Sequence, residues 1–518
     1  MDEARVGAAN LALIATSRAL PSRTPVALPL DTRLSLRVTT PGFTDRYLRH
    51  RDSLAYTDVV TADSPQLLKD DATYAIRPGL ADPDCYSFES VNFRWFFGAT
   101  VAGQIADRFV YLALPLVAIL WLDADELEVG VLTAMTTAGS LLIGLPAGAW
   151  VDRWRKRPVM VNTDSLRAAL LMTLPLAWWA DALSIWLLYA IALGHGLLTV
   201  LFEVGYTSYV PTLVGRDHLV EANSRIAAVR SAVSISGPGL AGPLVGWLGA
   251  PLTLIVSAAG MLLSALGMLR IRTVEVVRPE ATDRQLIREV AEGLRFVLGH
   301  RLLRPMLFTD GFFSLFLVVY QTMLLVFLAR QLDLSTSGIG SVLSAMACGG
   351  FVGALLAGRL IARVGPGPAI WLAPLCTAPA AALLPATSVG WPTWLAVAGL
   401  ALLSFGGVVR LVAQAGLQQS VTPDRLLARM SATVRFVQWG SMPVAALLGG
   451  ALGGLFGASA VLWIGTAGMT ATFLPALLSS LRTTYRLPAS ESAAAQQDDP
   501  GLAPTARAEP SLGDPAYG

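Results

Sequence analysis

Asp107 is the residue whose type and place in this chain most suggest chemistry. It lies in an apolar run that begins near Phe93. At 1.5 Å per helical residue it falls about 20 Å along that run, close to the middle of a bilayer. An ionisable side chain at such depth is costly, so it is a functional candidate by default. A carboxyl there can take up a proton and release it once its surroundings open to the other side. The competing reading is a static pair with Arg108 or with a group on another helix. Asp310 is the approximate counterpart in the second half of the chain, where a structural role is equally open. His195 is a third proton-coupling candidate, either a relay or a hydrogen-bonded packing residue.

Two further ionisable residues are linked by an internal repeat. Asp217, Leu219 and Ser224 align with Asp424, Leu426 and Ser431 at one constant offset, and the same offset carries Glu203 onto Arg410. Equivalent positions of opposite charge suggest an ion pair between the two halves that closes one end of a cleft. The alternative is that each is paired within its own half or reaches a headgroup. Asp164 with Arg167, three apart, and Glu221 with Arg225, four apart, read as local helical pairs. Gln104, Tyr320, Gln321 and Gln414 are polar groups in apolar runs, suited to lining a cavity or to bonding between helices.

These residues need apolar helices to position them, and the chain supplies the helices. It has 518 residues, 54% hydrophobic and 14% charged, with a mean hydropathy of +0.57. A soluble globular chain carries about 25% charged residues. From Phe93 to about Leu481 the apolar runs are each of bilayer-spanning length. The spacing predicts twelve transmembrane helices, near 94–121, 129–149, 158–180, 183–206, 225–247, 251–270, 305–328, 336–360, 368–386, 392–414, 432–456 and 459–480. The fold class is therefore all-α integral membrane, with a first six-helix bundle over 93–271 and a second over 305–481. The linker 272–304 between them contains Gln285-Leu-Ile-Arg-Glu-Val-Ala-Glu-Gly-Leu-Arg-Phe-Val297, apolar at helical spacing, which predicts an amphipathic surface helix. Residues 1–92 lack sustained periodicity and read as a mostly disordered extension, with a small accessory domain as the alternative; 482–518 read as a disordered tail.

The loops fix an orientation. Arg and Lys crowd the connections after the even-numbered spans, while the opposite connections are nearly free of them and include Asp123-Ala-Asp-Glu-Leu-Glu128, with Arg330 as the exception. Positive loops face the cytoplasm, which puts both termini there. The three cysteines show no ligand or disulfide spacing. No phosphate-binding Gly-Lys-Ser/Thr loop and no nucleophile or metal cluster stands out, so no cofactor is expected and an enzyme is a poor reading. A net charge of +2 gives no reason to expect nucleic acid.

The most informative loop is Gly148-Ala-Trp-Val-Asp-Arg-Trp-Arg-Lys-Arg157, which sets one carboxylate among four cations between two apolar runs. Ala147-Gly148, Arg153 and Pro158 recur as Ala357-Gly358, Arg363 and Pro368, and Val131 to Gly139 is echoed by Val342 to Gly350. Internal repetition of this kind is how many transporters are built. Gly148 would let a neighbouring helix approach closely, and Asp152 could cap a helix N-terminus across the halves. The arginines could hold Asp152 or grip lipid phosphates. A plain basic loop obeying topology is the alternative.

This loop resembles the signature between spans 2 and 3 of the major facilitator superfamily. Gly148, Asp152, Arg153, Lys156 and Arg157 match, while Trp150 and Arg155 depart from it. Ser236-Gly-Pro-Gly-Leu-Ala-Gly-Pro243, with Gly237, Pro238 and Gly242, resembles the Gly-Pro motif of that superfamily's drug:proton antiporters. Phe202 to Pro211 and Leu219 to Ser224 are similar to the span 4–5 region of bacterial macrolide-efflux proteins and the enterobactin exporter. The resemblance covers roughly 93–481. It implies two pseudo-symmetric six-helix bundles that rock around a central cavity, usually driven by protons. The expectation is a monomeric, multi-pass exporter in the bacterial cytoplasmic membrane, moving a small amphipathic molecule such as a drug, antibiotic or siderophore against protons. An importer of a small metabolite, or a non-transporting sensor of the same fold, is the alternative.

Overall fold

The computed structural model describes residues 91–215, 218–272, 286–387 and 392–485. The reading of residues 1–92 as an extension, most of it before Val91, and that of the tail beyond Tyr485 lie outside the described residues.

The apolar runs form helices in the predicted order. The first half holds α1 (Val91–Trp121), α2 (Glu126–Arg153), α3 (Lys156–Trp179), α4 (Ile185–Val214), α5 (Leu219–Leu248) and α6 (Ala250–Leu269). The linker helix is α7 (Leu286–Gly299). The second half holds α8 (Leu303–Val326), ending in a π turn over Phe327–Gln331, then α9 (Thr336–Val364) and α10 (Pro366–Thr377). A 3₁₀ turn over Ala378–Ala382 and the short α11 (Leu383–Ala386) extend α10, and α12 (Thr393–Val421) follows. The long α13 (Asp424–Ala471) breaks at Gly457, whose φ of 80° lies where glycine is favoured. Among the described residues nine helices are long and apolar enough to cross a membrane. Helices α3 and α5 are of spanning length but more polar, and α13 covers the length of two crossings.

Local chemistry sets the boundaries. Asp125 caps α2: its side chain accepts from the Glu128 amide while the Glu128 carboxylate accepts from the Asp125 amide, a reciprocal capping box. Ser184 and Ser335 cap α4 and α9 in the simpler way. Gly215, Gly249 and Gly365 end α4, α5 and α9 with positive φ.

Packing repeats between the halves. In the first, α2 lies on α4, α1 on α6, and α3 on α4; in the second, α9 lies on α12, α8 on α13, and α10 on α12. The halves meet through α2 against α13 and α5 against α9, a reciprocal exchange. The amphipathic α7 packs on α13 and α8. Glu292 of α7 accepts from Arg429 at 2.7 Å, and Gly293 sits so close to Arg429 and Thr433 that a Cβ there would meet the Arg429 carbonyl. The linker helix is thus tied to the start of α13.

Candidate functional site

In the first half, three helices bring one arginine between two acids. The Arg167 guanidinium, fully buried on α3, donates to Asp107 of α1 at 3.0 Å and to Asp164, also fully buried, one turn away on its own helix. It also donates to the Thr199 hydroxyl of α4 at 3.2 Å and lies 4.9 Å from the centre of the Phe202 ring. An arginine suits such a site because its planar fork serves several acceptors and stacks on aromatic faces. Asp107 keeps about a third of its side chain exposed (35%). Two carboxylates thus share one guanidinium, and Asp107 is the member with an exposed edge. His195 is buried beside the cluster: Thr199 donates to its carbonyl at 2.7 Å, and its Nε2 has no partner among the described residues.

The second half repeats the theme with different geometry. Arg410 of α12 donates to Asp310 of α8 at 2.7 Å, both side chains being 4% exposed, and to Gln414 at 2.8 Å. Its guanidinium stands 4.3 Å over the Phe313 ring. Here one acid meets one base, so the site is neutral. A buried pair of this kind is held in place chiefly because losing either partner would strand the other.

Glu203 and Arg410 are not paired with each other in this structure. Glu203 accepts from Arg230 of α5 at 2.8 Å, within the first half and with both groups well exposed. Arg410 is engaged by Asp310. For the two to meet in another conformation, each would have to leave its present partner. Asp107 likewise pairs with Arg167 and not with its neighbour Arg108. Tyr320 is buried and donates to the Ala381 carbonyl at 3.1 Å, bonding α8 to the 3₁₀ turn after α10. Gln414 belongs to the Arg410 cluster, and Gln104 and Gln321 are half-buried. Glu221 and Arg225 form the expected local pair at 2.7 Å.

The halves touch at the end that carries the acidic loops. Gly130 of α2 and Gly450 of α13 face each other, and a Cβ on either would run into the other's backbone. Gly242 of α5 meets Gly340 and Ser337 of α9 in the same way, while Gly340 also faces the Pro238 carbonyl. Bare glycine backbones are what allow helices to come this near. Arg330, at the end of the π turn, donates at 2.8 Å both to Asp123 and to the Ala124 carbonyl of the α1–α2 loop. The lone cation on that side thus ties the second half to the first.

The opposite end is different. A Cβ on Gly144 or Gly148 of α2, on Gly358 of α9 or on Gly416 of α12 would find no atom within 4 Å. Among the described residues no neighbouring helix comes within 4 Å of a Cβ built at Gly148. Arg153 is exposed, whereas Arg157 donates from Nε to the Met268 carbonyl at 2.9 Å and from a terminal nitrogen to Leu269. It caps the last carbonyls of α6. Lys156 begins α3, half-buried; the Asp152 side chain lies outside the described ones. Gly237 brings α5 against α1 at Arg108, where a Cβ would stand 2.7 Å from the Arg108 Cβ.

Comparison with known proteins places this architecture. The family model for the Major Facilitator Superfamily matches residues 96–442. Enterobactin exporter EntS of Escherichia coli O1:K1 / APEC is 26% identical over 363 residues, covering 69% of this chain and 84% of that protein. The crystal structure of nucleoside transporter NupG superposes with a TM-score of 0.63 at 11% identity, over 77% of this chain and 100% of that one. A second model, the alpha-L-arabinofuranosidase B (ABFB) domain, matches residues 36–97. Alpha-L-arabinofuranosidase B of Aspergillus niger is 51% identical over 59 residues there, so the chain spans only 12% of that relative's length. This short likeness falls almost wholly outside the described residues.

Proposed function

The chain belongs to the Major Facilitator Superfamily, and we propose that it is a proton-coupled exporter of a bulky amphipathic small molecule, working by alternating access. It is a multi-pass membrane transporter by family and fold. The observation that carries the finer reading is the uneven charge of its two buried clusters. Asp107 and Asp164 share Arg167, and Asp107 keeps an exposed edge, whereas Asp310 and Arg410 balance.

A proton on Asp107 neutralises the excess and loosens its hold on Arg167. Loss of that proton restores the α1–α3 link. Coupling follows if the two arrangements favour different openings of the cleft, since a ligand shifts an equilibrium only by its unequal affinity for the two states. Closure at the acidic end and the empty glycine faces at the basic end support an inward-facing conformation. The glycines at 144, 148 and 358 are then the surfaces on which the halves close in the other state. The likeness to an exporter over most of its length supports export and residence in a bacterial cytoplasmic membrane, and the charge of the loops supports both termini inside. The arabinofuranosidase-like segment, 12% of those enzymes, gives no ground for proposing their hydrolytic activity.

Asp107→Asn tests the coupling. In proteoliposomes under an imposed pH gradient, with a panel of anionic, neutral and cationic amphipathic dyes, the variant is expected to lose gradient-driven transport at least tenfold. Exchange of dye across the membrane without a gradient should persist. Normal acceleration by the gradient in the variant would overturn the assignment.

A further inference from the structure

We propose that Arg108 is an anion-recognising residue of the central cleft, and that the cargo is accordingly an amphipathic organic anion. This inference rests on the transport reading above and specifies its substrate class. Arg108 lies on α1, about 20 Å from Trp121 at the acidic end and farther from Val91, too deep to reach a headgroup plane. An arginine at such depth is expensive and calls for a partner. Among the described residues no carboxylate pairs with it, because Asp107, its neighbour in sequence, is taken by Arg167 from the adjacent helix face.

The side chain is exposed, and its surroundings decide to what. Helix α1 packs against α2, α4, α5 and α6 of its own half and α8 of the other. An exposed face on a helix so enclosed looks into the cleft between the halves. Gln104, Arg108 and Tyr111 share that face at helical spacing, with Tyr111 49% exposed. The stem of Arg108 lies on the bare backbone of α5 at Gly237, with Cβ and Cγ where a glycine Cβ would otherwise stand. That contact fixes the stem and leaves the guanidinium to project.

On α8 of the other half Phe308 and Phe312 are exposed, and their rings stack with centroids 6.4 Å apart. Phe312 is about 28 Å from the end of its π turn, so the aromatic pair lies roughly a turn or two nearer the basic loops than Arg108. A fixed cation with hydrogen-bonding neighbours suits the acidic group of an amphipathic anion, and an exposed aromatic pair on the other half would suit its flat apolar body.

The test uses the full chain in nanodiscs of zwitterionic lipid, with heats from empty discs subtracted. Naphthalene-2-sulfonate and naphthalene-2-sulfonamide differ in charge and little in shape, and naphthalene-2-methylammonium supplies the opposite charge. Calorimetric titration is expected to show the sulfonate bound about tenfold or more tighter than the sulfonamide, a charge-assisted hydrogen bond's worth. Arg108→Gln should erase that preference while leaving sulfonamide affinity unchanged, and Arg108→Lys should keep most of it. Retained sulfonamide binding shows the variant is folded; a purely structural role for Arg108 would weaken all three ligands alike, which overturns the inference. So would equal binding of sulfonate and sulfonamide by the unaltered protein, or preference for the ammonium. Failure of all three ligands to bind would instead remove the amphipathic-cargo reading on which the inference stands.

Discussion

Oxidation of a Leu127→Cys/Gly454→Cys variant, with Cys85, Cys348 and Cys376 replaced by serine, will close a disulfide between the halves and reduce transport to the background of empty liposomes. A Cβ on Gly454 of α13 would stand 3.9 Å from the Leu127 Cβ of α2. Disulfides join Cβ atoms about 3.5–4.5 Å apart, so the bridge needs little movement in this conformation. The two positions flank the Gly130–Gly450 contact, where the backbones leave no room for sliding. Packed interfaces switch between discrete arrangements and do not deform continuously, so a covalent tie there holds the acidic end shut and blocks the cycle. Reductant should restore the rate, and each single variant should transport normally. A variant shown by gel shift to be crosslinked, yet transporting at the unlocked rate, would mean that this end need not open.

Arg167→Met is expected to be the most destabilising single substitution among the buried ion pairs. It removes the cation from between Asp107 and Asp164 and leaves a fully buried carboxylate with no counter-charge. Removing one partner of a buried pair costs about 3–5 kcal/mol. Arg410→Met strands only Asp310 and should cost less than Arg167→Met. The triple variant Arg167→Met, Asp107→Asn, Asp164→Asn should regain most of the loss, since the penalty belongs to the orphaned charges and neighbouring substitutions do not add. Denaturant unfolding in detergent measures all three. An Arg167→Met protein within about 1 kcal/mol of the parent would show that the cluster is solvated and not buried.

Much of this was legible in the chain because lipid imposes strict rules on sequence. Spanning length, loop charge and the repeat of Ala147-Gly148 at Ala357-Gly358 depend on local composition alone, and the helices fall close to the boundaries they predict. So does the amphipathic α7. The local pairs Asp164–Arg167 and Glu221–Arg225 follow from helical spacing. What spacing cannot give is the second partner. Arg167 reaches Asp107 sixty residues away, and Arg410 reaches Asp310 a hundred residues away. Both choices depend on helix neighbours and rotation. The repeat aligns Glu203 with Arg410, yet each finds its partner inside its own half. Arg330 stands out in the sequence only as a misplaced cation, and its tie to Asp123 emerges from the packing. Arg108 is the sharpest case: adjacency suggests a pair with Asp107, but successive helical residues point to different faces. The likeness of residues 36–97 to a glycosidase domain left no periodicity to read.

The central claim is that one end of the cleft closes as the other opens. Pulsed electron–electron resonance on two spin-labelled pairs in liposomes tests it most directly: Trp154 with Ala362 across the basic end, and Leu127 with Leu455 across the acidic end, all at exposed positions. The account predicts two populations that exchange on changing pH, with the basic-end distance shortening as the acidic-end distance lengthens. Distances that lengthen or shorten together, or that stay fixed at both ends under every condition supporting transport, would contradict it.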